Sequence, residues 1–530
     1  MSEATLLKSS TVMAVGTIFS RITGLARGLI LVAALGTTLL GDTFNVANTM
    51  PNILYNLIIG GALTAVFVPQ IVRATNESDG GSAFISRLLT VTIVFLGALV
   101  VIAILIAPLL VRLFATSYVG RPEFHVTTLF MRFCLPQIFF MGLFALLSQV
   151  ANAKGRFGPM MWAPVLNNII SIAVFSWYLI QTTKPTVTTI SNGEIIGLGL
   201  GATVGYVAQA LILIPAIRKA NIKLRPRFDW RDPELKKSLY LASWTLAFAA
   251  ISQVSYLVTV NLSTGAAIKA LKEGISTGVG FTPYSNAFFI LVLPHSVITI
   301  SVVTALLPTL AKFAHAKEVG AIHEQLVRAM RLVGIVTVPS AILFLLFGPL
   351  ITREVFFGIS NSDASYLGYV LSAFALGLLP MSINLIALRG LNAFENVKSQ
   401  VVSNAVMNLL GTLLAIAFAL TLPAKWVTVG LAGAFAISYF IGAVCTVWLL
   451  RRYGIKISLA EVTGFYLKLI LLALATAVPL RLIQAYLPGG NTLGLLIVLV
   501  VGGAGYLGLA HLTGVDEVRS TFNFLRPTKK

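Results

Sequence analysis

Apolar runs of roughly 18–25 residues recur along this chain from one end to the other, and few backbone arrangements tolerate them. A bilayer's hydrocarbon core is about 30 Å thick, and a helix crosses it in about 20 residues. A backbone facing lipid must satisfy its own hydrogen bonds, which leaves helices and closed barrels. These runs are too long and too uniformly apolar for barrel strands. The expected fold class is therefore an all-α polytopic membrane protein. Composition agrees, with 57% hydrophobic and 11% charged residues, against about 25% charged in soluble domains. The first apolar run is long, carries arginines and lacks a small-residue cleavage site, so no cleavable signal peptide is expected.

About fourteen helices are expected, over residues 10–36, 44–72, 84–115, 126–152, 160–182, 194–218, 238–263, 282–313, 323–355, 365–393, 399–422, 427–450, 460–486 and 490–512. With the N-terminus inside, about 25 Lys/Arg fall in cytoplasmic segments and about nine outside, which places both termini in the cytoplasm. Four remain within the membrane: Arg21, Arg27, Arg389 and Lys468. The formal net charge of +20 thus belongs to cytoplasmic loops, and no nucleic-acid partner is expected. The most basic of these loops, residues 218–237, reads as a linker that touches anionic headgroups. Cys134 and Cys445 sit far apart in apolar segments and read as free thiols, and no metal site is expected.

The chain also repeats itself weakly. "APLLVRLF" (107–114) resembles "GPLITREV" (348–355), "VPQIVRA" (68–74) resembles "LPTLAKF" (307–313), and "VANAKGRF" (150–157) resembles "GLNAFENV" (390–397). The offsets are 241, 239 and 240, and Asn168 falls opposite Asn408. An even number of helices per repeat keeps both copies in one orientation, so the expected architecture is two pseudo-symmetric six-helix lobes around a central cavity. The lobes are residues 1–225 and 226–457, and residues 458–530 add two helices and a cytoplasmic tail.

The polar residues inside the membrane are the candidate site. Arg21 and Arg27 lie about 120° apart around a helix, and Gly24 bisects that angle. A charge deep in lipid costs several kcal/mol, so these guanidiniums either face protein or water or snorkel to headgroups. Arginine suits a bidentate hold on phosphate. Asn45, Asn48, Asn52 and Asn56 fall within about 80° of one another. They form either a dry interhelical seam or the wall of a hydrated cavity. Asp42 either caps the second helix or gates by pairing with an arginine. In the second lobe Asn286, His295 and Ser296 are secondary candidates, His295 more readily as hydrogen-bonded structure than as a proton relay. Arg389 and Glu395, with Asn392, read as a cytoplasmic gate or an interface anchor, and Lys468 as a snorkelling side chain. A phosphate-binding P-loop, HExxH and GxSxG are all missing, so catalysis is the weaker class and no cofactor is expected. Coupling to an ion or to membrane potential is left open.

"SRITGLAR" (20–27), then Asp42, then "PNILYNLIIGGALTAVFVPQ" (51–70) resembles the signature of the MurJ/MviN lipid II flippase family, within the multidrug/oligosaccharidyl-lipid/polysaccharide exporter superfamily. "LLPTLAK" (306–312), "VPSAILFLLFGPLI" (338–351) and "ALRGLNAF" (387–394) are similar in style. The resemblance implies a transporter in the bacterial cytoplasmic membrane. Its cargo is lipid II, the undecaprenyl-pyrophosphate-linked disaccharide-pentapeptide, moved from the inner to the outer leaflet by alternating access. It also implies a cationic cavity, a groove on the last two helices for the lipid tail, functional roles for Arg21, Arg27 and Asp42, and membrane lipids and cell-wall synthesis machinery as partners. Tyr55, Asn56 and Ala287 to Phe289 stand where many members carry basic residues, and residues 238–263 hold no acidic residue for a sodium site. The rival readings are a flippase for another polyprenyl-linked glycan, a drug/cation antiporter, and a membrane scaffold or lipid-modifying enzyme.

Overall fold

The computed structural model describes residues 3–57, 71, 81–154, 157–181, 185–219, 225–228, 234–394, 396–484 and 490–519. The described elements are helices joined by short turns. The expected pairing of Pro69 and Arg73 with Pro308 and Lys312, the second helix beyond residue 57, and Glu395 lie outside the described residues.

Twelve helices among the described residues are long and apolar enough to cross a membrane, and a pair bent by 43° makes a thirteenth. The remaining expected span is the second, described over residues 39–57. Side chains such as Ile180 and Leu420, 81% and 79% exposed, form the apolar outer surface that lipid covers. This is a multi-pass membrane protein.

Two compact units make up the chain. Residues 1–274 with 280–282 form the first, and residues 275–279 with 283–530 the second. The first holds α1 (Glu3–Leu35), α2 (Leu39–Tyr55), α3 (Ser82–Leu105), α4 (Ala107–Phe114), α5 (Pro122–Cys134), α6 (Gln137–Ala153), α7 (Phe157–Gln181), α8 (Asn192–Leu211), α9 (Ile214–Arg218) and α10 (Glu234–Lys272). The start of α11 (Phe281–Pro294) also belongs to it. The second unit continues with α12 (Ile300–His315), α13 (Val319–Val355), α14 (Asn361–Ala375), α15 (Leu378–Ala393), α16 (Val397–Thr421), α17 (Ala424–Leu450), α18 (Leu459–Ile483) and α19 (Gly490–Leu512).

Several single spans are broken in two, and proline explains most of the breaks. Pro108, Pro136 and Pro215 sit at the α3–α4, α5–α6 and α8–α9 junctions, and Pro294 precedes a π-helical turn over His295–Thr299 before α12. Proline lacks the amide that would bond one turn back and its ring crowds that carbonyl. Caps fix other ends. Ser191 and Glu194 form a capping box on α8, the hydroxyl accepting from the Glu194 amide at 3.3 Å and the carboxylate from the Ser191 amide at 2.8 Å.

Helices pack closely where glycine allows it. A Cβ on Gly368 would lie 2.3 Å from the Pro349 Cα, so α13 and α14 approach backbone to backbone. In the first unit a Cβ on Gly205 would lie 2.2 Å from the Asn167 Oδ1, and the Asn167 amide donates to the Gln209 carbonyl oxygen at 2.8 Å. Residues 225–228 of the basic linker are exposed and run along α3 of this unit. The Arg225 and Arg227 amides donate to the Ser86 and Thr90 hydroxyls of α3 at 3.2 and 2.9 Å. Ser86 and Thr90 lie one helical turn apart, and Pro226, which has no amide to offer, falls between the two donors.

The sequence repeat has a structural counterpart inside each unit. Arg112 lies over the Phe124 ring at 6.0 Å, and Arg353 donates to the Ser365 hydroxyl at 2.6 Å. Both arginines and both of their partners are separated by the same 241 residues. The last two helices belong to the second unit: Tyr466 of α18 and Tyr506 of α19 donate to the Met330 and Ile335 carbonyls of α13 at 3.0 and 3.1 Å.

Candidate functional site: a polar face on the first helix

Packing against α7 sets how α1 is turned. A Cβ on Gly16 would meet the Met161 Cβ at 3.0 Å, and the Phe19 and Trp162 rings lie 5.6 Å apart. The Asn168 amide donates to the Ser20 carbonyl and the Thr23 hydroxyl, each at 3.1 Å. Residue numbers rise together along both helices, so α1 and α7 run parallel. Val15, Ile18 and Ile22 are exposed and occupy one arc of α1, about 60° wide. Ser20, Gly24 and Arg27 lie on the opposite side, with Arg21 about a quarter-turn away.

Arg21, Gly24 and Arg27 are all half-buried. Neither guanidinium forms an ion pair or a hydrogen bond with a described residue; the ion pair among those residues is Arg121–Glu123, at 3.2 Å. A half-buried arginine without a partner retains five donors for an anion.

Asp42 is fully buried, and its two oxygens accept from the Phe281 and Thr282 amides at 2.9 and 2.6 Å. The N-cap of α2 is Thr38, with no side-chain cap bond. Asp42 therefore does not cap its own helix. It caps the first turn of α11, where free amides and the positive end of the helix dipole favour a carboxylate. No described arginine lies within bonding distance of it.

The asparagine stripe divides. The Asn45 amide donates to the Thr282 hydroxyl at 3.0 Å, and that hydroxyl also bonds the Asp42 carboxylate. Asn48 accepts from the Gln137 amide of α6 at 3.0 Å. These two residues form an interhelical seam. Half-buried Asn52 and exposed Asn56 form no side-chain hydrogen bond with a described residue. Gln137 and Thr282 were missed in the sequence because each pairs with α2 only through the fold.

In the second unit the secondary candidates are built into packing. The His295 Nδ1 and the Ser382 hydroxyl are 2.8 Å apart, and Thr299 donates to Ser382 at 3.1 Å. Ser296 donates to the Leu293 carbonyl at 2.9 Å. Asn286 is half-buried. Ala287 is fully buried, and Phe288 packs on Phe374 and Phe435 at 5.6 and 5.4 Å, so this stretch of α11 is aromatic core. The Arg389 Nε is buried without a partner among the described residues. Lys468 donates to the Thr513 carbonyl at 2.7 Å, closing the end of α19 rather than reaching away from it. A groove of about 270 Å³ opens between α13, α18 and α19, lined by Ile335, Pro339, Leu343, Leu480, Leu499 and Leu507, with Ser340 and Thr476 as polar members.

A family model described as "Lipid II flippase MurJ" matches residues 31–501. The chain belongs to the MurJ family. A "Probable lipid II flippase MurJ" of Bdellovibrio bacteriovorus is 27% identical over 97% of this chain and 96% of its own length. Its counterpart in Vibrio cholerae is 26% identical over 76% of this chain and 77% of its own. Among solved structures, a lipid II flippase MurJ in an inward closed conformation matches with a TM-score of 0.74 at 21% identity, covering 95% of this chain and 98% of that one. An inward-facing multidrug-resistance MATE transporter of the MOP superfamily matches at 0.65 and 13% identity, over 83% and 96%. MurJ proteins are flippases, that is, transporters rather than enzymes. The matched span begins at Leu31, so Arg21, Gly24 and Arg27 precede it, whereas Asp42 and the asparagines lie inside it.

Proposed function

We propose that this chain carries lipid II across the bacterial inner membrane, with both termini in the cytoplasm, and that the arginine-bearing face of α1 holds the diphosphate. Membership of the MurJ family supports the cargo. The observation that carries the site is the pair of half-buried guanidiniums without a described partner, set away from the exposed apolar arc of α1. Two fixed positive charges offset about two phosphate charges, and a neutralised headgroup crosses a low-dielectric layer far more cheaply than a bare anion. Asn52 and Asn56 supply amides to the sugars or peptide, while Asn45 and Asn48 hold α2 in place. Transport alternates the exposure of this face between the two sides of the membrane. Arg389 and Glu395 are the proposed gate residues, Asp42 holds the start of α11 rather than gating, and the groove on α13, α18 and α19 takes the isoprenoid tail.

The deciding experiment depletes the protein in cells and follows lipid II in the outer leaflet. Its appearance there stops on depletion and returns on complementation. Unchanged appearance in depleted cells removes the reading. A second prediction concerns the groove. A Cβ at Gly503, one of its lining residues, would meet nothing within 4 Å, so Gly503→Leu fills the space without moving backbone. Transport falls several-fold in Gly503→Leu at normal protein level, as read by the same leaflet assay.

A further inference from the structure

We infer that Asn168 is a positioning residue for the arginine face: its side-chain amide fixes the rotation of α1 about its own axis, and so decides where Arg21 and Arg27 point. The inference rests on the proposed diphosphate site and adds a residue on a different helix.

The geometry is specific. Asn168 uses one amide nitrogen for two acceptors on α1, the Ser20 carbonyl and the Thr23 hydroxyl, each at 3.1 Å. Those acceptors flank the site: Ser20 immediately precedes Arg21, and Thr23 immediately precedes Gly24. Thr23 is held in turn by donating to the Phe19 carbonyl at 2.8 Å. Asn168 is buried, 7% exposed, so water does not replace these bonds at low cost.

The remaining contacts between the two helices cannot do this alone. One to two turns lower these are the Gly16–Met161 and Phe19–Trp162 packing and a weak bond from the Thr17 hydroxyl to the Met161 sulfur at 3.9 Å. Close apolar packing sets the distance between helices but tolerates some rotation, whereas two directional bonds from one planar amide do not. Met161 and Asn168 are seven residues apart, as are Gly16 and Thr23, so the amide lies two turns along the same seam. Above it Arg27 carries on along the seam face without a described partner, and Arg21 stands about 120° from Arg27. A rotation of α1 in one sense would carry Arg21 toward the exposed apolar arc of Val15, Ile18 and Ile22.

The repeat mate behaves differently. Asn408 donates back to Asn404 of its own helix, to the carbonyl at 2.8 Å and the side-chain oxygen at 2.9 Å. An asparagine at this place in the repeat can therefore satisfy itself locally, and Asn168 bonds across helices instead.

Asn168→Leu keeps nearly the same volume and removes both donors. In purified full-length protein we expect lipid II binding to weaken about tenfold, equivalent to about 1.4 kcal/mol, in a variant that still expresses and folds, with a thermal midpoint a few degrees lower. A cysteine at Gly24, in a background lacking Cys134 and Cys445, should react with a water-soluble thiol reagent, and Asn168→Leu should slow that reaction several-fold. Asn168→Gln, which retains the donors, should restore part of both. Unchanged binding and labelling in Asn168→Leu, with binding still lost in Arg21→Ala, overturns the positioning role and leaves the site intact. Retained binding in Arg21→Ala overturns the site itself.

Discussion

Arg21→Ala or Arg27→Ala abolishes lipid II translocation and growth while leaving the amount of protein in the membrane unchanged. Each guanidinium can make two parallel bonds to phosphate oxygens, and a hydrogen bond to a charged partner is worth about 1.5–3 kcal/mol. Removing one arginine should therefore reduce affinity by two orders of magnitude or more, and it leaves a phosphate charge uncompensated during passage. Stability should hardly change, because neither side chain bonds a described residue. Lysine replacements separate charge from shape: the charge survives and the planar fork does not, so they should retain partial transport. The measurement is outer-leaflet lipid II alongside an immunoblot of the variant. Growth of both alanine variants would falsify the assignment of the diphosphate to α1.

The second large effect is expected at Asp42 and acts on stability first. Its carboxylate accepts two backbone amides and the Thr282 hydroxyl with no solvent exposure. Alanine leaves those donors buried and unpaired, a loss of about 3 kcal/mol or more. Asparagine keeps one acceptor and turns its own amide group toward a donor, so Asp42→Asn should fall between. Gly280 provides an independent check. Its φ is +147°, and a Cβ there would sit 1.9 Å from the Asp42 Oδ2. Gly280→Ala should thus lower the thermal midpoint by several degrees through backbone strain and collision together. In the double variant Gly280→Ala/Asp42→Ala the collision vanishes, and the combined loss should be smaller than the sum of the two. Strict additivity would mean that the two residues do not meet.

The fold was largely legible because membrane helices announce themselves by length and hydrophobicity. The breaks were less so, since a proline in a long apolar run marks either a kink or a new helix start, and Pro108, Pro136 and Pro294 read alike until packing separates them. The polar residues of α1 and α2 could be located but not given partners. Helical spacing put four asparagines in one stripe, yet Asn45 and Asn48 are held by Thr282 and Gln137, which lie 237 and 89 residues away. Local pattern contains nothing about such distant donors. Asp42 shows the same limit: its position near a helix start suggested a cap, and only the fold shows which helix it caps. The groove is assembled from three helices, and no single stretch of sequence announces it.

The two repeats pair the same positions, Arg112 with Phe124 and Arg353 with Ser365, but differ at the residues proposed to meet the cargo. One copy carries unpaired cations on its front helix and spends an asparagine steadying it. The other has Asn261 and Ala267 at those places, 240 residues on, and its Asn408 folds back on Asn404. Transplanting the polar stripe of α2 into the second copy should be hard, since Phe288 stands 240 residues on from Asn48 and an amide placed among the rings of Phe288, Phe374 and Phe435 would meet only aromatic carbon.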